Sequence, residues 1–214
     1  MTANRARGQR AGLTRQAVLE AAVRLVDREG IKALSMRRLG AELGVEAMTL
    51  YHHVPNKSAL LDGMIEQIVA EAVPPEFGAA TWREDLRAYA HALMAALAAH
   101  PHAVPLLLSR PAMTPRNLRT MEAVVAMLHE AGFPLRRTLD ILYSLTGFVV
   151  GQAAARAGGV DGAGELASSL DADAYPLLVE AAREAGEDAA EGRFEFALDA
   201  LLSGYERELA LTRA

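Results

Sequence analysis

The sequence predicts an all-α protein, with an N-terminal three-helix helix-turn-helix domain and a larger helical domain behind it. Three observations carry this. Apolar residues recur at three- and four-residue spacing in segment after segment, no alternating strand pattern survives inspection, and Gly and Pro fall between the segments. At 214 residues, 51% of them hydrophobic, the chain can bury a substantial core. No apolar run approaches the roughly 20 residues needed to span a bilayer. The arginine-rich start lacks the apolar stretch of a secretory signal. With no cysteine, disulfides and thiolate metal sites are excluded. The expectation is a soluble cytoplasmic protein with no membrane partner and no cofactor.

Residues 1–13 carry Arg5, Arg7 and Arg10 without periodicity and read as a disordered basic arm. It is either a solubilising tail or an arm that follows phosphates or a minor groove. Thr14 can cap a helix from Arg15 to Glu29, whose Val18, Ala22, Leu25 and Val26 form an apolar stripe. Gly30 ends it, and Ile31, Ala33 and Leu34 form a short apolar connection. Ser35 is the next N-cap; Leu39 and Leu43 share a face, and Gly44 suits a left-handed helix end. A second short helix is expected from Ala47 to His53, with Leu50 inward and Ala47, Met48, Thr49 and His53 outward. Pro55 stops it. Helix, glycine turn and short helix make a DNA-reading motif over residues 14–57, whose second helix enters the major groove.

Residues 58–73 form a linking helix. Its face of Leu60, Leu61, Met64, Ile65, Ile68 and Val69 is too wide for three short helices to cover, so it should touch the following domain as well. Pro74–Ala80 marks the boundary. The second domain, residues 78–214, is helical throughout. Helices are expected over Trp82 to Ala99, Pro115 to Ala131, Pro134 to Ala157, Ala174 to Ala185 and Arg193 to Leu211. Leu106–Leu108 forms a short buried piece, Arg110-Pro111 a turn, and Gly158–Gly164 a flexible loop.

The net charge of −5 divides unevenly. Residues 1–57 carry +5 and the remainder −10. Attraction to phosphate is set by the local basic face, so this asymmetry favours a DNA-binding head on a body that stays off DNA.

The strings Ser35-Met36-Arg37-Arg38-Leu39-Gly40-Ala41-Glu42-Leu43-Gly44-Val45, Thr49-Leu50-Tyr51-His52-His53-Val54 and Asn56-Lys57 resemble the TetR family of transcriptional repressors. Thr14-Arg15, Ala21-Ala22, Leu25 and Gly30 join them, so the likeness covers roughly the first 65 residues. Trp82, His100, Arg110-Pro111 and Phe148–Gly151 more loosely resemble the C-terminal domain of the tetracycline-repressor branch. The resemblance implies a homodimer whose C-terminal domain binds a small molecule that lowers its affinity for operator DNA.

By that resemblance, Arg37 looks like the arginine that reaches a guanine edge, for which its fork of donors is suited. Ala47 and Met48 occupy the base-reading start of the third helix; both are apolar, which favours contact with thymine methyls. Thr49, Tyr51, His53 and Lys57 look like phosphate-contacting positions, and Ser35 and Arg38 complete the DNA-facing set. Tyr51 also reads as core, and Arg38 as a solvated charge.

A helical body of this size can enclose an apolar pocket. Tyr89, Leu93, His100, Arg110, Met121, Met127, Tyr143 and Phe148 are its candidate lining, although Met and Phe at helical spacing equally read as core. The tetracycline branch's metal-binding histidine falls at Leu106 or Leu107, its assisting acid near Ala155, and its binding histidine near Glu71 or Ala72. A rather apolar effector is therefore expected instead of a magnesium–tetracycline complex. The helices from Pro134 and from Arg193 are assigned to dimerisation as a four-helix bundle. A scaffolding or small-molecule-binding helical protein that reads no specific DNA is the alternative. No nucleophile–base spacing, phosphate loop or metal cluster points to an enzyme.

Overall fold

The computed structural model describes residues 13–72, 81–109, 113–159, 169–185 and 189–213, and among them there is no strand. In chain order the helices are α1 (Arg15–Glu29), α2 (Met36–Leu43), α3 (Ala47–Leu50), α4 (Lys57–Ala72), α5 (Trp82–Ala99) and α6 (Val104–Ser109). They continue with α7 (Pro115–Glu130), α8 (Leu135–Ala157), α9 (Pro176–Ala185) and α10 (Ala189–Arg213). Three-residue 3-10 turns, Ile31–Ala33 and Pro101–Ala103, precede α2 and α6. The basic arm except Leu13, the Pro74–Ala80 boundary, Arg110-Pro111 and Val160–Gly164 lie outside the described residues.

The helix ends follow the capping residues. Thr14 Oγ1 accepts the N–H of Ala17 at 3.1 Å, and Asn56 Oδ1 accepts that of Ala59 at 2.8 Å, so two exposed first turns satisfy a free donor. Gly30 takes φ +79°, a value that glycine adopts without strain, and returns its N–H to Val26 O.

The chain forms two compact units, Met1–Val73 with Ala92–Glu122, and Pro74–His91 with Ala123–Ala214. This differs from the expected split at residues 74–78, because residues 92–122 group with the head. In the first unit α1 packs on α2, α4 and the Pro101–Ala103 turn, and α4 packs on α6. The wide face of α4 accounts for it. Leu60, Met64, Ile65 and Ile68 are buried, Ile65 against Leu106, with Leu61, Val69, Ile31 and Leu107 around them. Leu106 is thus core, whereas Leu108, expected to be buried with it, is exposed.

The second unit is built on α8 and α10, which pack together. Ile141, Leu142, Leu145, Val149, Val150 and Ala153 on α8 and Phe194, Leu198, Leu202 and Leu209 on α10 are buried. Trp82 meets Phe133 edge-on at 5.1 Å, and Phe148 stacks on Phe194 at 5.3 Å. A polar ladder ties the start of α5 to α10. Arg83 reaches Glu206 at 3.2 Å, Arg87 pairs with Asp199 and Glu195, and His91 meets Glu195 at 3.3 Å. Arg87 holds the Asp199 carboxyl below its ordinary pKa, mainly through their hydrogen bond.

Candidate nucleic-acid interface

The turn between α2 and α3 is fixed by two glycines. Gly44 sits at φ 66°, ψ 27° and donates to Ala41 O, while the Val45 N–H donates to Gly40 O at 2.9 Å. This closes α2 with the Schellman pattern. Gly40 is needed for another reason: a Cβ there would lie 2.8 Å from Val45 O and 3.2 Å from Ala47 N. The backbone entering α3 therefore passes directly against α2. At the other end of α2, Ser35 Oγ accepts the Arg38 N–H at 3.1 Å, as a capping residue should.

The reading helix is shorter than expected. It is α-helical only from Ala47 to Leu50, and His52 and His53 then close turns by donating to the carbonyls of Thr49 and Leu50. Pro55 disfavours helical geometry at Val54, so the segment cannot continue past it. Leu50 and Val54 are fully buried and anchor the segment from below. Above them Met48 is 70% exposed and Tyr51 41%, His52 is exposed, and Ala47, Thr49 and His53 are half-buried. Exposed Tyr51 is not the core residue that one reading of the sequence allowed.

The cations differ in freedom. Arg37 is exposed. Lys57 donates from Nζ to Leu34 O at 2.8 Å, which fixes the ammonium at the start of α4 and leaves two of its three donors. Arg38 is engaged: it pairs with Glu29 on α1 and with Glu42 one turn on at 3.2 Å, and Glu42 also accepts from Arg28 at 2.8 Å. Arg28 is the main cause of a lowered Glu42 pKa, with Arg38 adding to it; Glu29 raises that of Arg38. This network braces α1 to α2. Arg38 and Glu42 form a local i,i+4 pair on α2, but the links to Arg28 and Glu29 cross to α1 and leave no signal in the sequence.

The candidate effector residues are divided between the units. Leu93 is buried in the first and Tyr89 in the second, where its hydroxyl meets Thr146 and burial raises its pKa. His100 has partners, as a polar group among Leu and Ala requires. Its Nδ1 is 2.9 Å from Asp27 Oδ2 on α1, and its Nε2 3.4 Å from Glu71 on α4. His102 Nδ1 donates to the Asp27 carbonyl at 2.9 Å. Met121 and Met127 on α7 are half-buried, and Phe148 is held by Phe194. Tyr143 is 61% exposed, on the same α8 stripe as exposed Leu135 and Leu139, and Arg110 lies outside the described residues.

A capped helix, a Schellman turn against a glycine, and a short second helix presenting exposed side chains above buried Leu50 and Val54 define the helix-turn-helix class of protein. Residues 18–64 match "Bacterial regulatory proteins, tetR family", and residues 74–209 match "Tetracyclin repressor-like, C-terminal domain". The chain belongs to the TetR family. It is 36% identical over 148 residues to the "HTH-type transcriptional repressor DrrR1" of Streptomyces coeruleorubidus, which covers 69% of this chain and 55% of that one. It is 31% identical to the class D tetracycline repressor protein of Escherichia coli, over 93% of this chain and 92% of that one. Among solved structures, Streptomyces coelicolor ActR in complex with actinorhodin superposes with a TM-score of 0.76 at 30% identity, covering 91% and 95% of the two chains. The chain thus spans little more than half of one relative and nearly all of the others. No single helix among the described residues is long and apolar enough to cross a membrane.

Proposed function

We propose that this protein is a ligand-responsive transcriptional repressor that binds palindromic operator DNA as a homodimer and releases it when a small, rather apolar effector binds. The observation that carries this is the α2–α3 turn. It projects Met48 and Tyr51 outward from a rigid base, beside a basic head in which Arg37 and Lys57 remain available. Arg37 supplies polar base reading, Ala47 and Met48 contact thymine methyls, and Ser35, Thr49, Tyr51, His53 and Lys57 hold phosphates. Arg38 adds charge from within its brace.

Dimerisation is supported by the outer faces of α8 and α10. Leu135, Leu139 and Tyr143 run along α8 in steps of four, continued by Gly147 and Gly151, and α10 exposes Phe196 and Leu211. A Cβ at Gly147, Gly151 or Gly204 would meet nothing within 4 Å, so a partner helix can come close there. The relatives' names support repression and an effector: two are repressors, and ActR is found with actinorhodin. Within the second unit, Tyr89 and Phe148 are the proposed effector contacts, and Tyr143 belongs to the dimerisation face instead. The test is selection of bound sequences from a random DNA pool. A palindrome bound in a salt-sensitive manner is expected; equal binding of random DNA overturns the reading.

A further inference from the structure

We propose that Met48 is an oxidation site through which a peroxide lowers the protein's affinity for DNA. The inference rests on the proposed DNA-reading role of α3 and goes beyond it. The chain has no cysteine, so its sulfur chemistry belongs to eight methionines. Among the described residues Met36, Met64 and Met94 are buried and Met121 and Met127 half-buried. Of the described methionines only Met48 and Met113, at 70% and 63% exposure, present a thioether openly. Met48 alone of these two lies in the reading helix.

The chemistry needs a peroxide and nothing else. A lone pair on the Met48 sulfur attacks one peroxide oxygen, the O–O bond breaks and an S–O bond forms. Sulfur loses two electrons, and with hydrogen peroxide the second oxygen leaves as water. The product is a polar, chiral sulfoxide in place of a flexible apolar group, and methionine sulfoxide reductases reverse it. A thymine methyl has no donor for the new oxygen, which must give up its water on docking. The loss should resemble that of a mismatched base pair, roughly 5–150-fold in each half-site. Leu50 and Val54 beneath are buried and oxidation-inert, so the head stays folded while its contact surface changes.

The experiment takes the full-length protein and the palindrome that it selects from a random pool, then applies graded hydrogen peroxide. Peptide mass spectrometry should find sulfoxide at Met48 and Met113 before Met36, Met64 or Met94. Loss of DNA affinity should track Met48 sulfoxide and be restored by the reductases. Met113→Leu should stay sensitive; Met48→Leu, whatever its starting affinity, should show the same affinity before and after peroxide. If Met48→Leu binds too weakly to measure, the parent protein gives the answer, since bound palindrome should slow oxidation of Met48 and not of Met113. Full conversion of Met48 without loss of affinity, loss that follows the buried methionines, or absence of protection overturns the proposal. Failure to select any sequence instead overturns the DNA-binding reading itself.

Discussion

Replacing Gly40 by alanine tests the geometry on which the interface depends. The new Cβ would sit 2.8 Å from Val45 O and 3.2 Å from Ala47 N, and both neighbours are backbone. Ordinary contact begins at 3.4 Å, so the turn must open by several tenths of an ångström at its narrowest point. The strain falls on the Val45 N–H···O=C Gly40 bond that closes α2. Two effects oppose each other. Alanine gains about 1 kcal/mol over glycine inside a helix, while overpacking costs typically about 1–3 kcal/mol. The net expectation is a loss of about 0–2 kcal/mol in denaturant unfolding, with an unchanged m-value. Because the displaced backbone leads into α3, affinity for the selected palindrome should fall about tenfold or more, as for at least one lost base contact. Gly63→Ala gives the contrast. There a Cβ meets mainly the Leu19 side chain, at 2.6 Å, which can turn aside, and α3 is untouched. A Gly40→Ala protein as stable as the parent, with parental affinity, would refute the claim that this close approach fixes the reading helix.

Other perturbations separate the roles of the charged groups. Lys57→Ala should weaken binding to all DNA sequences and lower the salt slope by about 1 per subunit, whereas Arg37→Ala should cost about 1–3 kcal/mol and relax selectivity at one position in each half-site, read by repeating the selection. Glu42→Gln removes the acid shared by Arg28 and Arg38, so non-specific DNA binding should rise with a steeper salt dependence, seen by titrating random DNA at several salt concentrations. The Glu42 pKa is lowered in the folded state. Its contribution to stability is therefore present above the ordinary carboxylate pKa of about 4.3 and is lost as pH falls through the lowered value, so Glu42→Gln should flatten acid unfolding in that window. His100→Ala strips one hydrogen-bond partner from Asp27, whose Oδ1 is already buried without one, and should destabilise by about 1–3 kcal/mol in denaturant melts.

Much of the fold was legible because its signals are local. Thr14, Ser35, Gly30 and Gly44 act within a turn of themselves, and Arg15–Glu29 and Trp82–Ala99 ended where the punctuation placed them. The candidate interface was legible for the same reason: ten residues separate Ser35 from Glu46, and their order prescribes helix, turn and helix. Its detail was less so. The α-helix stops at Leu50 and not His53, since competition between a four-residue helix and Pro55 depends on how Leu50 and Val54 are buried.

By itself, then, the sequence determined the helices, the glycine turn and the division of charge into a basic head and an acidic body, because period, capping and net charge are properties of neighbouring residues. Only the tertiary structure decided which charges are free. Arg37 and Arg38 are adjacent and alike in sequence, yet the packing of α1 on α2 brings Glu29 to Arg38, beside Glu42 one turn on, while Arg37 stays exposed. It likewise turned His100 toward Asp27 and Glu71. The Arg38–Glu29 and His100–Asp27 pairings join residues 9 and 73 positions apart along the chain, and no local pattern encodes contacts that only folding brings together.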